Sequence, residues 1–127
     1  MICADTNIFI DFFRGTSGKS IEVLQKAFDE KQLLMNPFVL SELLSSPKLP
    51  KKTEKYLLDL PRIEIELGFF ERAGLLRRKI YQEGKGVSIA DIYIAQLCID
   101  SEIPLLTADQ DLLMISKHSE LNIVTAP

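Results

Sequence analysis

The chain has 127 residues, a formal net charge of −3, 46% hydrophobic residues and 26% charged ones. That length suits one domain over 1–127 with a sizeable core, and the acidic balance excludes a protein that coats nucleic acid by bulk electrostatics. One histidine (His118) and two cysteines (Cys3, Cys98) with no C-x-x-C spacing leave almost nothing for a zinc site, a Ser–His–Asp triad or a disulfide framework.

Short apolar runs alternate with longer stretches of helical period, the pattern of an α/β fold with a parallel sheet. The first strand candidate, Ile2–Ala4, runs straight into Asp5-Thr6-Asn7 and a short helix over Thr6–Phe13, which Asp5 or Thr6 could cap. A second helix is expected over Ser17–Glu30, with Ile21, Leu24 and Phe28 on one face. Gly18-Lys19-Ser20 is a turn entering that helix, not a phosphate-binding loop: that motif needs a second glycine five positions earlier, directly after a strand, and Phe13 stands there. Leu33–Met35 reads as a strand, and Pro37–Ser46 as a helix that starts on proline and stops before Pro47. Within it Glu42 follows Phe38 and Val39 and lies off the Ser41 and Ser45 stripe. A partly buried structural glutamate and a metal ligand both fit that position.

Lys51–Leu60 is a helix ending before Pro61, and Ile63–Leu67 the next strand candidate. The helix over Phe69–Glu83 carries Phe69, Ala73, Leu76 and Ile80 on one face, and Gly84 stops it. Its Arg77, Arg78 and Lys79 read as a solvated charged face rather than an RNA contact. Ser88–Ser101 is apolar almost all round and should be largely buried. Ser88-Ile-Ala-Asp91 is a capping-box pattern, but Ile94, Ala95, Cys98 and Ile99 surround Asp91 at helical spacing. A lone carboxylate on an apolar face must be paired, hydrogen-bonded or on a metal. Pro104–Leu106 is a strand leading into Thr107-Ala-Asp109-Gln110-Asp111, where Thr107 and Gln110 can cap a helix and the acids suit its first turn. Asn122–Thr125 is the last strand candidate.

Each acid has an ordinary explanation alone; together they converge. In a parallel α/β sheet ligands bind beyond the carboxyl ends of the strands, where strand order reverses. Asp5 and Asp109 follow strands directly, and Glu42 and Asp91 are expected in the first turns of helices that follow a strand or a loop. Four carboxylates at one edge repel, and divalent cations resolve that conflict. An all-oxygen set without histidine or thiolate suits Mg²⁺ or Mn²⁺.

Four segments in order, Asp5-Thr6-Asn7, Ser41-Glu42-Leu43-Leu44, Ala90-Asp91-Ile92-Tyr93-Ile94-Ala95-Gln96 and Leu106-Thr107-Ala108-Asp109-Gln110-Asp111-Leu112, resemble the PIN domain family. The compact size is similar to the VapC-like toxins of toxin–antitoxin pairs. The resemblance implies a three-layer α/β/α fold. With the strand candidates above, its central short parallel sheet should hold four to five strands. It further implies a metal-dependent endoribonuclease in which Asp5, Glu42, Asp91 and Asp109 are the catalytic and metal-binding acids and Mg²⁺ (or Mn²⁺) the cofactor. Asn7, Thr107 and Asp111 would support them. Leu112 departs from the pattern, which often has an aromatic there. Expected partners are an RNA substrate, a small antitoxin that inserts a basic residue near the acids, and a second copy in a homodimer.

Arg14 and Lys19 are the RNA-contact candidates. No apolar run reaches bilayer length and the N-terminus lacks a signal-type pattern, so a cytoplasmic location is expected. The alternative is a catalytically inactive PIN-fold module that docks a partner through its acidic pocket. A receiver domain or a haloacid-dehalogenase-type phosphatase fits poorly, because the phosphatase needs an aspartate where Asn7 stands and the receiver needs a lysine that Thr107-Ala-Asp109 lacks.

Overall fold

The computed structural model describes residues 1–124. Strand β1 is Cys3–Ala4 and pairs in parallel with β2, Leu105–Leu106, with Cys3 opposite Leu105 and Ala4 opposite Leu106. Three single parallel bridges extend the array: Ile2 with Leu33, Met35 with Arg62, and Leu105 with Ile123. From β1, the chain therefore adds segments outward on one side and then returns to the other side with β2. β1 and β2 form the point where strand order reverses, and Asp5 follows β1 directly.

The ladder among the described residues is two-stranded, not the four to five strands expected. The segment at Leu33–Met35 is shared between two neighbours, Leu33 bridging Ile2 and Met35 bridging Arg62, so neither pairing reaches a second consecutive position. Asn36 and Pro37 then turn the chain into a helix. The bridge to Met35 falls on Arg62, one residue before the Ile63–Leu67 candidate, of which Ile63 donates its N–H to the Met35 carbonyl at 3.0 Å; beyond Ile63 the chain leaves the core, and Leu67 is 99% exposed. Of Asn122–Thr125, Ile123 makes the bridge and Thr125 lies outside the described residues.

The helices are α1 (Thr6–Phe13), α2 (Lys19–Asp29), α3 (Pro37–Leu44), α4 (Lys51–Asp59), α5 (Phe69–Gln82), α6 (Ile89–Ser101) and α7 (Gln110–Lys117). Their starts follow local chemistry. Asp5, Asn36, Ser88 and Asp109 each accept a backbone N–H with their side chain as N-caps, and Pro37 occupies the first turn of α3. α7 is capped by Asp109, not by Thr107 as the Thr107-x-x-Gln110 pattern suggested, because Thr107 is turned inward to another partner. Gly84, at φ 81°, takes the left-handed turn that ends α5.

Phe69, Ala73 and Ile80 are buried along α5, facing α6, whose Ile92, Ile94, Ala95, Gln96, Leu97 and Cys98 are buried in turn. Full burial of one such large apolar side chain is worth about 1.5–3 kcal/mol. Leu24 is fully buried on α2, whereas Phe28 is 37% exposed and packs on Tyr56 with ring centroids 4.7 Å apart. Cys3 and Cys98, 95 residues apart, bring their buried free thiols to 2.9 Å, locking β1 against α6. α6 also packs on α3 and α7, so the helix carrying Asp91 is held between those carrying Glu42 and following Asp109.

Candidate metal centre

Asp5 is 3% exposed at the carboxyl end of β1. Its Oδ1 accepts the Ile8 N–H at 3.0 Å, which caps α1, and its Oδ2 accepts the Thr107 hydroxyl. The Thr107 oxygen in turn accepts the Asp109 N–H at 3.0 Å. A single buried hydroxyl thus ties the loop after β2 to the carboxylate after β1, and its one proton is committed to Asp5. Asp109 uses Oδ1 to cap α7, accepting the N–H of Asp111 at 2.9 Å and of Leu112 at 3.0 Å. Asp91 sits in the first turn of α6, with its N–H donated to the Ser88 hydroxyl at 3.1 Å. Across the cleft, Thr6 donates its hydroxyl to Glu42 Oε1 at 2.9 Å.

These elements enclose a cleft of about 180 Å³ lined by Asp5, Thr6, Asn7, Glu42, Asp91 and Asp109, with Ile94 and Leu112 as its apolar surface. No lysine, arginine or histidine is among those lining residues. One carboxylate oxygen each from Asp91, Asp109 and Asp111 lie within 4.8 Å of one another.

The electrostatics follow from that crowding. Burial pushes Asp5 above the ordinary carboxylate value; the Thr107 and Ile8 hydrogen bonds pull it back, and the charge of Asp109 adds to the rise. Burial also raises Asp91, followed by the charge of Asp109; the Ser88 hydroxyl lowers it, and the charges of Asp111 and Glu42 raise it again. Burial and the neighbouring acids both oppose ionisation, and no basic residue among those lining the cleft offsets them. The donor set is hard oxygen throughout, convergent and anionic, which fits a Mg²⁺ or Mn²⁺ ion and does not fit zinc or copper.

Asp5, Glu42, Asp91 and Asp109, named from sequence, are all brought to the cleft wall. Glu42 is exposed rather than partly buried, and it lies in the last turn of α3, not the first, because that eight-residue helix already ends at Leu44; this turn forms the open side of the cleft. Asn7 is exposed and lines the rim. Thr107 is buried beneath the acids, and Asp111 reaches the group from the first turn of α7. Arg14 and Lys19 do not line the cleft: Arg14 caps the far end of α1 and Lys19 opens α2. Thr6 was expected only as a cap, yet it holds Glu42; its adjacency to Asp5 was the available signal.

A family model described as PIN domain matches residues 2–117. Among curated proteins no match was found. Among solved structures, the chain is similar to FitAcB from Neisseria gonorrhoeae at 15% identity and TM-score 0.71, covering 99% of this chain and 98% of that one. It is similar to VapBC2 from Rickettsia felis, solved bound to a DNA fragment from its promoter, at 20% identity and TM-score 0.70, covering 98% of each chain. VapBC-1 from nontypeable Haemophilus influenzae matches at 16% identity and TM-score 0.72, covering 98% and 97%.

Proposed function

The chain belongs to the PIN domain family, and on that premise we propose that it is a divalent-cation-dependent endoribonuclease, the toxin of a VapBC-type toxin–antitoxin pair. The observation that carries the reading is the cleft itself: convergent carboxylates, two of them with raised pKa values, and no cation on its walls. PIN domains are generally nucleases, and a further similar solved structure, VapBC-5 from Mycobacterium tuberculosis, is described as a member of the VapBC family of toxin–antitoxin systems. The antitoxin is proposed to place a basic side chain against these acids. A homodimer, and location in the cytoplasm, belong to the same proposal.

Asp5, Glu42, Asp91 and Asp109 would hold Mg²⁺ or Mn²⁺, with Asp111 beside them. When bound, the cation lowers the pKa of a water molecule and stabilises charge building on the phosphate. Asp5 is pre-positioned by the Ile8 N–H and the Thr107 hydroxyl, so its carboxylate needs little reorganisation to act. Thr6 orients Glu42 in the same way. Asp109 keeps one oxygen on the α7 cap and has the other free of hydrogen bonds among the described residues. Ile94 and Leu112 limit water at the inner wall. No residue of the cleft is needed as a nucleophile, which matches a wall without His or Cys. Without the cation these carboxylates repel a phosphate inside the cleft, so it is the placing of the scissile phosphate there that depends on cation loading.

The test incubates the partner-free chain with RNA and Mg²⁺ or Mn²⁺, with and without chelator, beside Asp5→Asn and Asp91→Asn. Cleavage that chelator and both substitutions abolish supports the reading. Cleavage that survives chelator, or both substitutions, overturns the metal mechanism. Intact RNA with retained antitoxin binding favours the non-catalytic module instead.

A further inference from the structure

A second concavity opens on the other side of the α6 first turn. It is a groove of about 430 Å³ lined by Gly74, Arg77, Arg78, Tyr81, Gln82 and Ile89, within the size class of small-ligand sites. Ile89 lines this groove and Asp91 lines the acidic cleft. Two residues apart on a helix, they differ by about 3 Å along the axis and about 200° around it. The two openings therefore flank the N-terminal turn of α6 on opposite faces.

The groove is built rather than incidental. Arg77 is half-buried: it donates Nε–H to the Val87 carbonyl at 3.0 Å and lies 5.1 Å from the centroid of the Tyr81 ring. Its guanidinium is therefore held in place with donors to spare. Arg78 makes no ion pair among the described residues. Tyr81 is 52% exposed and Ile89 is 42% exposed, giving an aromatic face and an apolar lip. Gly74 is the independent observation. It sits in the interior of α5, where glycine is among the least favourable residues. A Cβ there would meet nothing within 4 Å, and no positive φ demands glycine. Neither packing nor backbone geometry asks for it, and its lack of a side chain leaves this wall of the groove open.

We propose that this groove binds a nucleotide of single-stranded RNA flanking the one presented to the acidic cleft, with Arg77 and Arg78 on phosphate and Tyr81 stacked on the base. This rests on the ribonuclease reading above. Charge complementarity selects the occupant: the groove carries two guanidinium groups and no carboxylate, beside an aromatic ring, the combination that binds single strands without strict sequence preference.

The test measures binding of a short fluorescent single-stranded RNA in chelator at low salt, together with thermal melts, for wild type, Gly74→Leu, Arg78→Ala and Tyr81→Ala. Gly74→Leu should bind about fivefold or more weakly while its Tm stays equal or rises, since a helix former replaces glycine in open space. Arg78→Ala should reduce the salt slope by about 0.7. Tyr81→Ala should also bind about fivefold or more weakly. Unchanged affinity in Gly74→Leu, or no binding by wild type, overturns the groove. So does a Gly74→Leu chain that changes oligomeric state at unaltered RNA affinity, which would make the face a contact between copies. Mg²⁺-dependent cleavage with wild-type KM in all three variants discards the groove and keeps the ribonuclease. Groove-dependent binding with no cleavage under any cation keeps the groove and discards the ribonuclease.

Discussion

Helix α6 carries an aspartate near each end, and the two live in opposite environments. At its C-terminal end, Asp100 meets Arg72 through Nε at 3.0 Å and Nη2 at 2.7 Å, and Gln96 at 2.9 Å. Burial pushes Asp100 up, but the Arg72 and Gln96 hydrogen bonds and the Arg72 charge outweigh it, so its pKa falls. At the N-terminal end, Asp91 has the favourable pole of the helix dipole, yet its pKa rises. Burial and three other acids overcome the dipole. The acid at the unfavourable pole is satisfied, and the acid at the favourable pole is not. The chain gives Asp100 a cation and gives Asp91 none among the described residues, the difference expected if Asp91 serves the proposed cation site.

The largest effect that could break this contrast is on activity. Asp91→Asn should lower RNA cleavage on the order of 10²–10³-fold, the scale for losing one electrostatic stabiliser of a transition state. Asp100→Asn should leave the cleavage rate close to wild type. Equal losses would mean both acids act only through the fold.

Thr107→Val comes next, because it removes the hydroxyl shared by Asp5 and Asp109 while retaining shape. Activity should fall roughly 10–100-fold, as for other groups that orient a ligand, and stability by about 1–3 kcal/mol. A rate equal to wild type in Thr107→Val would show that Asp5 is positioned by the Ile8 N–H alone.

Mn²⁺ titrated into the wild-type chain should raise Tm by several degrees, corresponding to about 2.7 kcal/mol at one hundred times its Kd. Asp91→Asn should abolish that shift and Asp100→Asn should retain it, read by calorimetry or a dye-based melt.

The smallest effects are on the cation-free chain, and their signs oppose. Asp91 has a raised folded pKa, so its favourable contribution is present at low pH and is lost as pH rises through the interval between its ordinary and raised values. Asp91→Asn should therefore melt above wild type at neutral pH, with the gap closing in acid. Asp100 has a lowered folded pKa, so its contribution is present at neutral pH and is lost as pH falls through that lower value. Asp100→Asn should melt slightly below wild type at neutral pH and converge with it in acid. If Asp91→Asn instead melts markedly lower, Asp91 serves the α6 cap.

Much of this is legible in the sequence alone. α1 spans Thr6–Phe13 as expected, and α3 begins at Pro37, because caps and proline act within one turn of the chain. Asp91 stood out because helical spacing alone surrounds it with apolar neighbours. Other features were hidden for the opposite reason. Thr107 and Asp5 are 102 residues apart, and nothing near either one announces the shared hydroxyl. The pattern around Thr107 pointed to a cap, a local role that Asp109 takes once Thr107 is drawn to Asp5. Arg77 and Arg78 looked like a solvated face because their periodicity matches one; the groove depends on how α5 meets the start of α6.

The sequence by itself determined the residue types, the order of the elements, Asp5 and Asp109 directly after strands, and Asp91 in the first turn of a helix. Those follow from short-range rules of capping, periodicity and turn chemistry. Only the tertiary structure decided that β1 and β2 are neighbours, that Asp111 joins Asp91 and Asp109, and, among the described residues, that the ladder is two-stranded and that Asp100 has Arg72 while Asp91 has no ion-pair partner. Those outcomes depend on which distant segments pack together, a choice made by burial of the whole core rather than by any stretch of the chain.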